Sequence, residues 1–202
     1  MRKIVENGYN VGDYEGFFRK SRKINSREER FLTKLMEMIP PKGKVLDLGS
    51  GVGIPIDKYL VEQGYHLTGI DFSKKHIQQA QKYVPEATFI HQDFTKINFK
   101  PKSFDAIISF YAIFHIPRTE HESLFKKIHS LLVDKGVVVL TLGMYDSELD
   151  ISEFVGAKQM AWSHFSAQKN KELVQKNDFE IIYEENQIEP DENHLWILAQ
   201  KI

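Results

Sequence analysis

The sequence predicts a doubly wound α/β fold, and three observations carry that prediction. Short apolar runs rich in Val and Ile alternate with amphipathic stretches of helical length, the runs are apolar on both faces, and the last two are joined only by "PDEN". Strands apolar on both faces and separated by helices form a parallel sheet covered on two sides. The short final connection forces the last two strands into an antiparallel hairpin. At 202 residues, with 42% hydrophobic, 12% aromatic and 27% charged, the chain has the size and composition of one globular domain.

Each element follows from its residues. Ser26 and Glu29 stand at capping-box spacing, and Phe31, Leu32, Leu35, Met36 and Ile39 supply a core-facing stripe before Pro40 and Pro41 stop that helix. "KVLDLG" is the first strand, followed by the helix "IPIDKYLVEQG", where Gly64 takes the left-handed cap. "HLTGID", "TFIHQD", "FDAIISF" and "GVVVLTL" are the next four strands, with "SKKHIQQAQKYV" a helix after the second. Between the fourth and fifth, Leu124, Phe125, Ile128, Leu131 and Leu132 form a helical stripe, and Gly136 stands where a second left-handed cap ends it. Residues 143–165 show no clear period and carry Phe154, Met160, Trp162 and Phe165, which predicts an irregular lid. A helix over "SAQKNKELVQKN" leads to the closing hairpin "FEIIYEENQIE" and "HLWILAQKI". The expected organisation is a single domain over 1–202: an N-terminal helical cap over 1–42, a core over 43–142, a lid over 143–165, and a C-terminal helix and hairpin over 166–202.

Bulk chemistry removes several functions. The formal net charge is −1, which argues against nucleic acid as a partner. Arg19, Lys20, Arg22 and Lys23 are a basic cluster best explained as a solvated helix face. With no cysteine there is no disulfide, thiolate metal site or cysteine nucleophile. No metal site is expected, since Asp146 and Asp150 alone do not cluster enough oxygen ligands. No signal peptide or membrane span is visible, so the expected location is cytoplasmic, away from membranes.

The chemistry concentrates in "VLDLGSGVGIP". A strand that ends in a glycine loop and opens a helix holds nucleotide-like ligands, because bare backbone turns tightly and admits close approach. Gly49, Gly51 and Gly53 follow one another at alternate positions, Ile54 occupies the third-glycine position of G-x-G-x-x-G, and Asp47 precedes the first glycine by two. The dinucleotide fingerprint therefore fails here. The pattern instead resembles the first motif of the class I S-adenosylmethionine-dependent methyltransferases. "GIDFS" and "HQDF" resemble that family's second- and third-strand ends, and "FDAIISFYAIFHI" and "LLVDKGVVVLTL" its fourth and fifth strand motifs, so the likeness covers about residues 43–142. It implies a Rossmann-like, seven-stranded mixed sheet whose last strand runs against the others, with S-adenosylmethionine as cofactor. It also implies that Asp71 takes the ribose hydroxyls and Asp93 meets the adenine amino group, with Asp47, Gly49, Ser50, Gly51 and Phe110 in the cofactor-binding set; for Phe72 and Phe94, beside the two acids, two readings stay open, sandwiching the adenine or filling core. A carboxylate suits a vicinal diol because it can accept two hydrogen bonds, and Asp71 stands 20 residues beyond Gly51, where a doubly wound fold presents an acid. For Asp47 two readings stay open, holding the glycine turn in shape or positioning the methionine end of the cofactor.

The methyl acceptor is constrained by exclusion. Adenine-N6 and glutamine methyltransferases of this fold carry Pro-Pro-aromatic after the fourth strand, where this chain has "SFYA". Cytosine-C5 and arsenic methylation require cysteine. A cap made from the partly apolar segment after the fifth strand and residues 1–25 would leave a closed pocket, which favours a small-molecule acceptor over a protein or RNA. His115, just past the fourth strand, and His164, in "AWSHF", are the candidate general bases, because imidazole titrates near neutrality. Tyr14, Tyr111 and Trp162 are candidates for lining the acceptor pocket. The competing functions are a non-catalytic S-adenosylmethionine-binding regulatory or scaffold protein, and a nicotinamide-dependent oxidoreductase, which the glycine spacing and the closing hairpin disfavour.

Overall fold

A computed structural model describes residues 1–11, 23–190 and 192–202. Seven strands form one sheet in the order β3-β2-β1-β4-β5-β9-β8, with β1 (Lys44–Leu48), β2 (His66–Asp71), β3 (Thr88–His91), β4 (Phe104–Ser109), β5 (Leu132–Gly143), β8 (Phe179–Ile188) and β9 (Asn193–Lys201). The first five pair in parallel, and β9 pairs antiparallel with both β5 and β8, so β9 alone runs against the rest. Helices α2 (Ser26–Met38), α3 (Ile56–Glu62) and α4 (Lys74–Tyr83) cover one face, and α5 (His121–Leu131) and α6 (Ala167–Lys176) the other.

The double-sided apolar pattern has a direct structural cause. Successive strand residues point to opposite faces, so Val45, Ala106, Ile108, Val139 and Trp196 enter one core, while Leu46, Ile107, Val138, Leu140 and Ile197 enter the other. Phe31, Leu32 and Leu35 seal the first core from α2, and Phe125 and Ile128 seal the second from α5.

Three local expectations are corrected. The capping box of α2 belongs to Asn25 and Glu28, not Ser26 and Glu29: Asn25 Oδ1 accepts from the Glu28 N–H at 2.9 Å and Glu28 Oε2 accepts from the Asn25 N–H at 3.0 Å. Glu28 shares the inward face with Phe31, Leu32 and Leu35, so the box closes one residue earlier than the Ser-x-x-Glu spacing suggests. Gly64 is left-handed as expected (φ 89), but after α5 the left-handed residue is Lys135 (φ 63), not Gly136. Glycine is needed at 136 for close packing instead, since a Cβ there would stand 3.0 Å from the Val133 carbonyl oxygen and 3.1 Å from that of Asp105.

The third correction concerns residues 143–165. They are not irregular: β6 (Ser147–Phe154) and β7 (Ala157–His164) pair antiparallel as a separate two-stranded sheet. Val155 (φ 49) and Gly156 (φ 80) make the two-residue turn, both left-handed as the twist of a tight hairpin requires. Register shifts between Ser147 and Asp150 and between Ser152 and Phe154 break the two-residue alternation by which a strand is recognised. Helix α1 (Arg2–Val11) packs on β7 through a small third cluster, in which Val5, Met160 and Ala161 are buried against Tyr9, Phe72, Phe154 and Trp162. Among the described residues no helix is long and apolar enough to cross a membrane.

Candidate active site

Parallel strands deliver their carboxyl ends to one edge, and the crevice of the fold lies there. The chain leaves β1 through Gly49 (φ 92), Gly51 (φ 55) and Gly53 (φ 77). The N–H groups of Gly49 and Ser50 both donate to the Ile70 carbonyl oxygen, at 2.8 and 3.0 Å, drawing the loop onto β2. Gly69 makes room for that approach, because a Cβ there would stand 2.8 Å from Ser50 Cβ and 2.6 Å from the Phe89 ring. The two leading glycines do different work. A Cβ on Gly49 would lie 2.3 Å from Ala112 Cβ, whereas one on Gly51 would meet nothing within 4 Å.

Asp71 fastens the loop from the end of β2. Its Oδ2 accepts the Gly51 N–H at 3.0 Å and its Oδ1 the Ser73 N–H at 2.7 Å, with His76 Nδ1 at 3.5 Å. Ser73 in turn caps α4 by accepting the His76 N–H. Above the loop opens a cavity of about 320 Å³. Gly49, Gly51, Asp71, Phe72, Asp93, Phe94, Phe110, Tyr111 and His115 all line it, so nine of the residues singled out in the sequence converge there.

Helix α1 roofs the cavity with Arg2, Glu6 and Tyr9. Arg2 Nε donates to Asp93 Oδ2 at 2.7 Å, and its two terminal nitrogens donate to Glu120 at 2.8 and 2.6 Å. Asp93 also caps a short turn by accepting the Thr95 N–H at 2.9 Å and the Thr95 hydroxyl at 2.7 Å. Burial pushes the Asp93 carboxyl up, but the Thr95 hydrogen bonds and the Arg2 charge outweigh it and hold the group below the usual carboxylate range. The Arg2 hydrogen bond does the same for Glu120.

His115 is buried between the core and the roof. Its Nδ1 stands 2.8 Å from the Ala161 carbonyl oxygen and its Nε2 2.9 Å from the Tyr9 hydroxyl. Burial pushes its pKa down to about 4, against weaker support from the Ala161 bond and the Asp71 charge, so the ring is neutral near pH 7.

The remaining candidates lie elsewhere. Asp47 is buried beneath the loop, and neither it nor Ser50 is part of the cavity wall. Trp162 stands behind His115, 5.7 Å between ring centroids, and packs edge-on to Phe154 instead of lining the cavity. His164 is also outside the wall: as the last residue of β7 it pairs with Ser147 at the hairpin base, and its Nδ1 bonds to the Tyr145 carbonyl. Tyr14, Arg19, Lys20 and Arg22 lie outside the described residues. The sequence reading missed Arg2, Glu6, Tyr9 and His76, although the spacing of residues 2, 6 and 9 places the first three on one helical face. Among the described residues no three His, Cys, Asp or Glu side chains are grouped to hold a metal ion.

A methyltransferase domain family matches residues 45–136. An uncharacterized methyltransferase of Oceanobacillus iheyensis is 28% identical over 145 residues, covering 69% of this chain and 67% of that protein. A sterol 24-C-methyltransferase of Gibberella zeae is 27% identical over 179 residues, 80% of this chain but only 45% of its own length. The chain thus spans from about two thirds to less than half of these relatives. A S-adenosylmethionine-dependent methyltransferase structure from Methanosarcina mazei superposes with a TM-score of 0.72 at 20% identity, over 84% of this chain and 97% of that one. The 1,6-didemethyltoxoflavin-N1-methyltransferase of Burkholderia thailandensis, solved with 1,6-didemethyltoxoflavin and S-adenosylhomocysteine bound, gives 0.66 at 19%, over 85% and 76%. At these identities the structures establish a shared fold. The family match covers residues 45–136, from β1 through the glycine loop, Asp71, Asp93 and His115, so it is this segment of the chain that is similar to a methyltransferase domain.

Proposed function

We propose that the protein transfers a methyl group from S-adenosylmethionine to a small molecule enclosed beneath α1, the helix that packs on the β6–β7 hairpin. The observation that carries this reading is the roofed cavity, with bare backbone for a floor and α1 side chains above it. Its volume of about 320 Å³ falls in the range of small-molecule sites, roughly 300–1,000 Å³, and the roof disfavours a polymer. The residues fit the cofactor, because the space that a Gly51 Cβ would fill opens directly above the loop. When bound, S-adenosylmethionine supplies an electrophilic methyl carbon on a sulfonium. The protein's own contribution is alignment. Asp71, oriented by the two backbone N–H groups it accepts, is assigned to the ribose hydroxyls. Asp93, Phe72 and Phe94 are assigned to the adenine, Phe110 to the wall beside it, and Asp47 to holding the loop from below. The small heterocycle bound by the Burkholderia relative supports an acceptor of that class.

Thermal shift tests the reading. At a hundredfold excess over Kd, S-adenosylmethionine and S-adenosylhomocysteine should each stabilise the fold by about 2.7 kcal/mol. Stabilisation by NAD alone would overturn the assignment, and binding without formation of S-adenosylhomocysteine from pooled metabolites would leave a scaffold. Asp71→Asn should retain the fold and weaken S-adenosylhomocysteine by roughly 10- to 100-fold, since a hydrogen bond to a charged group contributes about 1.5–3 kcal/mol. Calorimetry showing unchanged affinity would remove Asp71 from the site.

A further inference from the structure

Tyr9 enters the cavity from α1, and its ring packs edge-on to those of Phe72, His76 and His115 at centroid distances of 6.3, 5.2 and 5.4 Å. Its hydroxyl meets His115 Nε2 at 2.9 Å, while His115 Nδ1 meets the Ala161 carbonyl oxygen at 2.8 Å. The second contact decides the direction of the first. A carbonyl oxygen only accepts, so Nδ1 carries the ring proton, and in a neutral imidazole Nε2 is then a bare acceptor. The Tyr9 hydroxyl must therefore donate to Nε2. A phenol oxygen whose proton is committed in this way meets any other partner as an acceptor. His115 also lines the cavity, but its Nε2 is engaged by the Tyr9 hydroxyl.

We propose that Tyr9 is the catalytic residue that takes the proton shed by the methyl acceptor, and that His115 positions its hydroxyl and receives the proton that Tyr9 gives up. The proposal rests on the methyltransferase function above and adds the class of acceptor: a small molecule whose reacting atom bears O–H or N–H. As that atom gains its bond to the methyl carbon, the sulfur keeps the electron pair of the bond that breaks. The acceptor's proton passes to Tyr9 Oη, and Tyr9's own proton passes to His115 Nε2. The positive charge lost at sulfur reappears on the imidazole, whose Nδ1–H still donates to Ala161. Burial opposes that charged ring, and the Ala161 hydrogen bond and the nearby Asp71 carboxylate offset part of the cost. An acceptor that loses no heteroatom proton, such as a thioether or tertiary amine, would leave the pair without a task.

The test compares the parent protein with Tyr9→Phe. It uses methyl-labelled S-adenosylmethionine against a panel of small phenols, enols and N–H heterocycles, S-adenosylhomocysteine binding by calorimetry, and ¹⁵N spectra of the histidines. Tyr9→Phe should bind S-adenosylhomocysteine within twofold of the parent, keep the acceptor KM within threefold, and lower kcat about 10²- to 10⁴-fold. A fall in kcat of less than tenfold overturns the proposal. The spectra decide the pairing without turnover. His115 should be protonated at Nδ1, with an Nε2 signal that moves in Tyr9→Phe; the opposite tautomer, or an Nε2 indifferent to Tyr9, overturns the proposal even if no panel member is methylated. Should Tyr9→Phe not fold, the tautomer of the parent decides alone. Failure of the parent to bind S-adenosylhomocysteine would instead strike at the methyltransferase function, a result distinguishable from either.

Discussion

Gly51→Ala is expected to fold and to lose its grip on S-adenosylhomocysteine, while Gly49→Ala, two residues earlier, is expected not to fold. Both glycines are left-handed, but their surroundings differ. At φ 55 an alanine costs about 1–2 kcal/mol of backbone strain, and its methyl group meets no protein atom within 4 Å. That methyl group projects into the cavity, where crowding a bound ligand costs roughly 1–3 kcal/mol, or about 10- to 100-fold in affinity. At Gly49 the new Cβ would stand 2.3 Å from Ala112 Cβ at φ 92. Ala112 cannot step aside easily, because Tyr111 before it is itself held left-handed (φ 57), with its N–H bonded to Thr141 Oγ1. Backbone strain and overpacking together cost about 4 kcal/mol or more, a large share of the ~5–15 kcal/mol that holds a domain folded. Urea unfolding and calorimetry on the two variants separate the effects. A Gly51→Ala protein with parental affinity would place the ligand elsewhere.

Acid is expected to unfold the protein well before its carboxylates protonate. Burial pushes His115, His121 and His194 each down to about 4, with the His164 charge adding to the effect at His121 and His194. Above pH ~6.5 these rings are neutral in both folded and unfolded chains, so their stability contribution is fully present there. As pH falls below that value the unfolded chain takes up protons that the folded one refuses, and stability drops until the folded pKa near 4 is reached. At pH 5 the loss is about 2 kcal/mol per histidine, roughly 6 kcal/mol for three. A second decline follows at lower pH, because the carboxyls of Glu185, held near 2 by Arg30, and of Asp93 and Glu120 contribute only while ionised. Urea titrations at pH 7, 6, 5 and 4 give the profile directly. Unfolding free energies that stay level between pH 7 and 5 would refute the buried neutral state of these rings.

What the sequence disclosed and what it hid divide along physical lines. The seven-stranded sheet was readable because strands buried on both faces leave unbroken apolar runs such as "VVVLTL", and a glycine loop at the end of such a run marks the crevice. The β6–β7 hairpin was hidden because only β7 has a buried side, and two bulges scramble its alternation. Asp71 was identifiable by its distance from the loop, and the structure adds that it also shapes the loop it serves. His115 could be named but not its tautomer, which depends on Ala161 and Tyr9, 46 and 106 residues away along the chain. His164 and Trp162 were drawn in by their place in a presumed lid, yet once those residues form a ribbon, one falls at its base and the other behind the wall. Arg2, Glu6 and Tyr9 carry no motif, and only the docking of α1 on β7 brings them over the crevice.

The unequal foundations of the two layers have a further consequence. Floor and walls stand on two broad cores, whereas the roof is held by Val5, Met160, Ala161 and their neighbours, and by the ion pairs of Arg2. A small satellite cluster detaches at a lower free energy than the main body melts. The amides of α1 are therefore expected to exchange with solvent more readily than those of the central strands, which hydrogen exchange would read directly.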